Sequence, residues 1–194
     1  MTGLILAAWL VAVKWPLTLI MDGLFFRSLR RRAGNGFDAW AAAAAAQGTA
    51  AIAAAIKERV TYLADPLRGV FDYVAAPAVT WARRYGDCDD FAYLAAELLR
   101  RAGVESWLAS YLCWNVKDSH TLCLFRDGAR FGFLDQGEIK NDFATLVAAA
   151  RAGRPSTKVA GQYVRRYGRG ADLVGRWLVR NGARPSLGAT GVGK

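Results

Sequence analysis

The apolar residues Phe91, Leu94, Ala95, Leu98, Leu99 and Ala102 recur at i, i+3, i+4, i+7, i+8 and i+11, which is one face of an amphipathic helix. Gly103 follows and supplies the cap that ends it. Beyond Gly103 the period falls to two, first in Val104 to Leu112 and again in Ser119 to Phe125, which predicts strands. Asp127-Gly128 separates the second of these from Arg130 to Asp135, a strong short-range hairpin signal. A helix followed by antiparallel strands predicts an α+β domain.

The helix begins in the run Tyr85-Gly-Asp-Cys-Asp-Asp-Phe-Ala92, which places Cys88 after a glycine turn and in the first helical turn. Backbone N–H groups and the helix dipole at that position stabilise a thiolate, the species that attacks a carbonyl, and could form part of an oxyanion hole. Three carboxylates, Asp87, Asp89 and Asp90, oppose ionisation of the thiol, so something must offset them. Candidates are N-capping hydrogen bonds, a nearby imidazolium, or a bound cation such as calcium, which favours clustered hard oxygens. The plain alternative for Cys88 is a buried cysteine at a helix start, which the flanking acids disfavour.

His120 is the only histidine in the chain, so the candidate general base has no competitor. On its strand it shares a face with Leu122 and Leu124, while Thr121, Cys123 and Phe125 face the other way. A lone strand histidine is commonly a satisfied core or surface residue; its company makes the case here. Asp135 ends the next strand, and a hairpin turning at Asp127-Gly128 sets the two strands side by side. Asp135 in isolation is a turn former, and Gln136-Gly137 permits that reading. With Cys88 and His120 it is the candidate that fixes the imidazole tautomer. Nucleophile, base and orienting acid then follow in the order helix, strand, strand.

Gly86-Asp-Cys-Asp-Asp-Phe-Ala92, Leu98-Leu99, Gly103, Ser119-His-Thr-Leu, Asp127-Gly128 and Leu134-Asp135 together resemble the transglutaminase-like domain, and especially bacterial and phage transglutaminase-like cysteine peptidases. Val60-Thr-Tyr62, Asp65, Asp72-Tyr73 and Pro77 resemble that family's lead-in to the cysteine helix. The resemblance covers roughly 56–136. It implies a papain-like core with Cys88 at a helix N-terminus packed on an antiparallel sheet, and triad roles for Cys88, His120 and Asp135. It also implies calcium binding by the acids flanking the cysteine, here Asp87, Asp89 and Asp90. Two departures stand out: a short Trp114-Asn-Val-Lys-Asp-Ser segment before the histidine, and Thr121 where the family has an aromatic residue. Trp81 and Tyr85 are near in sequence, but the second oxyanion donor is not assignable.

The length of 194 residues and 54% hydrophobic composition suit one good core with terminal extensions. The division expected is 1–32 as a hydrophobic anchor or docking segment, 37–150 as the catalytic domain and 151–194 as a basic extension. Three cysteines without CxxC spacing, and one histidine, argue against a disulfide framework or a zinc site. Cys113 and Cys123 sit in apolar runs and read as buried small hydrophobes. The first 26 residues are nearly all apolar but lack a basic leader region, and Lys14 and Pro16 interrupt any single span. With Arg27, Arg30, Arg31 and Arg32 following, this segment reads as an interfacial membrane anchor or as helices docked on a partner protein. Ala33-Gly-Asn-Gly36 reads as a linker, with Asp38 as N-cap of an alanine-rich helix running to about Ala55 and a further helix over Ile56 to Leu63.

The formal net charge is +10, and the segment from Arg154 to Lys194 holds nine basic residues against one acid. An anionic polymer is thus a candidate partner for the tail, although a solvated basic face on a small helix over Ala171 to Arg180 is the plainer reading. The function expected is a cysteine hydrolase, a peptidase first, that cleaves an amide in a peptide or protein through an acyl-enzyme. Its chemistry requires no cofactor, with calcium as a candidate addition. A transamidating enzyme, and a structural or assembly protein of a phage particle or membrane complex, are the alternatives. The location expected is a membrane or a larger assembly such as a virion.

Overall fold

The computed structural model describes residues 27–64 and 74–167, with four scattered positions ahead of them. In chain order these residues form α1 (Arg27–Ala45), α2 (Thr49–Arg59), β1 (Thr61–Tyr62), α3 (Pro77–Arg83), β2 (Tyr85–Gly86), α4 (Cys88–Arg101) and β3 (Glu105–Cys113). A short 3₁₀ turn (Val116–Asp118), β4 (His120–Asp127), β5 (Arg130–Asp135), β6 (Glu138–Phe143), α5 (Leu146–Ala152) and β7 (Val159–Arg166) complete the order. The five long strands make one antiparallel sheet in the order β6-β5-β4-β3-β7, and β1 and β2 form a separate parallel pair. The α+β expectation holds.

The sheet is the middle of three layers. One face presents Leu108, Cys123, Phe125 and Leu134 to a core shared with Phe37, Ala41 and Ala44 of α1, Ile52 and Ile56 of α2, and Leu94, Leu98 and Leu99 of α4. The other face presents Ala109, Tyr111, Leu122, Leu124 and Phe133 to Leu146, Ala149 and Ala150 of α5. Strict alternation along β4 is what divides the two cores. Full burial of Leu94, Leu98 and Leu99 is worth about 1.5–3 kcal/mol each, so α4 is pinned to the sheet by its apolar face.

The periodic segments match their readings closely. Helix α4 ends where Gly103 was expected to stop it: Val104 N–H donates to Leu99 O (2.9 Å) and Gly103 N–H to Arg100 O (3.2 Å), the paired bonds of a Schellman motif. Asp127 and Arg130 face each other across the β4–β5 hairpin.

The alanine-rich region departs from its reading. Ala33-Gly-Asn-Gly36 is no linker but lies inside α1, and Asp38 is no N-cap but pairs with Arg101 Nη2 at 2.7 Å. Two glycines in a helix cost about 1 kcal/mol each. At Gly36 the gain is visible, because a Cβ there would stand 2.9 Å from Cη2 of Trp81, whose ring packs with Phe37 and Trp40. The alanine run breaks at Gly48, whose φ of 89° an L-residue rarely adopts, and a second helix starts there. That helix stops at Arg59, short of Leu63: Val60 is extended and Thr61-Tyr62 pair with Tyr85-Gly86. Residues 159–166, grouped by composition with the basic extension, form β7 and pair with β3. The hydrophobic segment 1–26, the Asp65-Pro66 turn, Asp72-Tyr73 and the helix expected over Ala171 to Arg180 lie outside the described residues, apart from the scattered positions. Among the described residues no helix is long and apolar enough to cross a membrane.

Candidate active site

The three candidate residues stand at the ends of three elements. Helix α4 leaves Cys88 and reaches Arg101, and the turn at Gly103 reverses the chain into β3, so the far end of β3 returns toward the start of the helix. Tyr111 near that end lies opposite His120, the first residue of β4. Strand β5 runs antiparallel to β4 and finishes at Asp135 at the same end. The turn that follows, Gln136-Gly137, has φ of 48° and 85°, the two left-handed residues of a type I′ hairpin. Its Gly137 lies so close to Lys57 that a Cβ would fall 2.8 Å from that residue's own Cβ. From Lys57 the chain runs through Arg59 into β1, which pairs with the residues just before Asp87.

His120 Nε2 and Asp135 Oδ1 are 2.9 Å apart, and both side chains are partly buried. Nε2–H therefore donates to the carboxylate, which leaves Nδ1 as the nitrogen able to accept a proton. Tyr111, opposite His120, is fully buried and its hydroxyl donates to Ala150 O at 2.5 Å. Burial raises its pKa, and the nearby charge of Asp135 raises it further, so it stays a neutral wall beside the pair.

Cys88 is the first residue of α4 and half-buried, whereas Cys113 and Cys123 are buried; none is in a disulfide. Burial pushes the Cys123 thiol far above its ordinary range, which makes it inert, as its apolar sequence setting implied.

Two of the acids around Cys88, Asp87 and Asp90, have different partners. Asp87 is the N-cap, its Oδ1 accepting from the N–H groups of Asp89 (3.1 Å) and Asp90 (3.4 Å). Asp90 is fully buried: Oδ1 accepts from Ala75 N–H at 2.8 Å, and Oδ2 lies 3.8 Å from Arg83 Nη2. It also fills the space beside Gly86, where a Cβ would come within 2.5 Å of its side chain. Glycine at position 86 and aspartate at 90 are thus one packing unit. Among the described residues no three His, Cys, Asp or Glu side chains are grouped as a metal site. The charges of Asp87 and Asp90 are met by backbone N–H groups and by Arg83.

Arg83 was missed in the sequence because it stands outside the cysteine motif, seven residues before Asp90. The available signal was Pro77 opening a short helix that delivers Arg83 in its last turn. Trp81 belongs to the aromatic packing with Phe37 and Trp40, with its Nε1–H buried and without a partner among the described residues, and Tyr85 is exposed under the Arg83 guanidinium.

Calcium-bound LapG of Legionella pneumophila is similar in fold at 21% identity and a TM-score of 0.44, over 59% of this chain and 62% of that one. The chain thus spans less than two thirds of that structure's length. A second structure of LapG aligns at 18% identity over 71% of this chain and 82% of its own, TM-score 0.48. EGTA-treated LapG aligns at 18% identity over 73% and 85%, TM-score 0.49. No curated protein matches the chain. Residues 34–136, more than half of the sequence and including Cys88, His120 and Asp135, match the transglutaminase-like superfamily, and the chain belongs to that family.

Proposed function

We propose that the protein is a cysteine peptidase in which Cys88, His120 and Asp135 form the catalytic triad. The observation that carries this reading is the 2.9 Å His120–Asp135 bond, with Cys88 as the first residue of α4. Nδ1 of His120 takes the thiol proton, and the sulfur attacks the scissile carbonyl. The tetrahedral oxyanion is stabilised at the N-terminus of α4 by backbone N–H and the helix dipole. As the intermediate collapses, the C–N bond breaks, the imidazolium gives its proton to the leaving amine, and a thioester on Cys88 remains. Water, deprotonated by His120, then attacks the thioester; the C–S bond breaks and the carboxylic acid leaves. Asp135 holds one tautomer and stabilises the imidazolium in both half-reactions.

The test is turnover of a peptide library by the full chain and by Cys88→Ala, His120→Ala and Asp135→Ala. Cleavage lost in the first two, with a peptidyl electrophile attached to Cys88 and neither other cysteine, supports the reading. Cleavage that survives Cys88→Ala refutes it. Transfer of the acyl group to an added amine in place of water would identify a transamidase using the same residues. A chelator arm belongs in the assay because one LapG structure is calcium-bound. Activity lost to the chelator and restored by calcium would establish a cation requirement here.

A further inference from the structure

A groove of about 380 Å³ is lined by Trp40, Ala55, Glu58, Arg59 and Arg84. Arg84 stands four residues before Cys88, and its carbonyl accepts from Thr61 N–H at 2.9 Å in the strand pair leading to the nucleophile. Arg59 is held rigidly: its guanidinium lies 4.2 Å over the Trp81 ring, and Nε–H donates to Trp81 O at 3.1 Å. That leaves the Nη donors of a pre-oriented fork for another acceptor. Arg84 is exposed and has a left-handed φ of 64°, a conformation that a non-glycine residue adopts only at some cost.

Neither guanidinium is ion-paired with a carboxylate among the described residues. They lie close enough that the Arg59 pKa, lowered first by burial, is lowered again by the charge of Arg84. Two like charges held together on the wall of a groove favour an anion between them. Glu58, in the same wall, brings the formal charge of the lining to +1, which matches a single carboxylate better than a doubly charged phosphoryl group. Trp40 and Ala55 supply apolar surface for the methylenes that carry such a carboxylate.

We propose that this groove is a specificity subsite in which Arg59 and Arg84 receive a glutamate or aspartate side chain of the peptide substrate. The proposal rests on the peptidase reading above and adds to it a preference for acidic sequence.

The test uses calorimetric titration of the full chain carrying Cys88→Ala, which prevents turnover. The probes are three acetylated and amidated peptides that differ at one position: glutamate, glutamine or phosphoserine. The expected result is about tenfold tighter binding of the glutamate peptide than the glutamine one, the scale of one charge-assisted hydrogen bond. Arg84→Gly should erase that preference, and Arg84→Lys should keep part of it. Glycine suits the left-handed φ, so the variant should fold, and an unchanged melting temperature checks this. Exposed Arg151 on α5 is the control: Arg151→Gln should leave the preference intact. Equal binding of glutamate and glutamine, a preference that survives Arg84→Gly, or no glutamate-peptide binding at millimolar concentration overturns the proposal. So does a phosphoserine peptide binding tenfold tighter than glutamate. Failure here is separable from failure of the peptidase reading, which is measured by electrophile attachment at Cys88 in the unaltered chain.

Discussion

Asp90→Asn would leave a side chain of the same shape and remove only a charge. In the structure that charge is fully buried, accepts from Ala75 N–H at 2.8 Å and lies 3.8 Å from Arg83 Nη2, whose side chain is 7% exposed. The amide oxygen can keep the bond to Ala75, but a neutral acceptor is worth about 1 kcal/mol less than a charged one. Removing one partner of a buried ion pair costs about 3–5 kcal/mol. The guanidinium keeps its contact with the Tyr85 ring, 4.4 Å away, and the pair is longer than a hydrogen bond, so the lower end of that range applies. A total of about 3 kcal/mol is a large share of a typical stability of roughly 5–15 kcal/mol. It should lower the melting temperature by roughly 6–12 °C for a chain of this size. The assay is urea unfolding followed by circular dichroism, with Arg83→Met added in the Asp90→Asn background. The second change should recover part of the loss, because it removes the charge that had lost its partner. If Asp90→Asn unfolds within 0.5 kcal/mol of the parent, about the scale of an ordinary surface change, Asp90 is not holding this turn together and a ligand role for it regains ground.

Asp135→Asn should lower kcat by about 10²- to 10⁴-fold while leaving KM within a few-fold, because an amide at Nε2 no longer selects the tautomer or stabilises the imidazolium; steady-state kinetics on a cleaved peptide reads this. Glu97 supplies a pH prediction. Burial pushes its pKa up, but hydrogen bonds from Arg100 and Arg101 (2.6–2.9 Å) bring it below the ordinary carboxylate value. The stability it contributes is therefore present above the unfolded carboxylate pKa and lost as pH falls through the folded one. Glu97→Gln should cost about 1–3 kcal/mol at pH 7 by chemical denaturation, and the gap to the parent should shrink as pH is lowered below about 4. A gap that is constant with pH would remove the carboxylate from the account.

The parts of the molecule legible in the sequence were those with a regular apolar stripe or clear end signals. Helix α4 buries one face at a helical spacing, and β4, buried on both faces, stands as an apolar run that ends at the Asp127-Gly128 turn signal. The His120–Asp135 meeting was legible because a two-residue hairpin fixes which residues lie side by side. Other elements carry no such pattern. Strand β6 is an exposed edge reading Glu-Ile-Lys-Asn-Asp-Phe, so polar residues cover both of its faces. In β7, arginines and tyrosines make a strand resemble a basic tail, and only its pairing with β3 shows otherwise. Gly34 and Gly36 look like a linker until the Trp81 ring is seen against the helix. The separate contacts of the acids were not legible for a related reason: adjacency in sequence does not say that Asp87 turns to the backbone while Asp90 turns inward to Arg83.

The central claim concerns how Cys88 ionises, and the rate of its alkylation tests that directly. An ordinary thiol is about 0.3% ionised at pH 6, so its reaction with iodoacetamide there is slow. Cys113 and Cys123 are buried, and the measured thiol is therefore Cys88. The account predicts that Cys88 in the folded chain reacts at pH 6 at least tenfold faster than free cysteine, and that His120→Ala abolishes the advantage. A Cys88 that reacts at the rate of free cysteine, or whose rate is unchanged by His120→Ala, would contradict it.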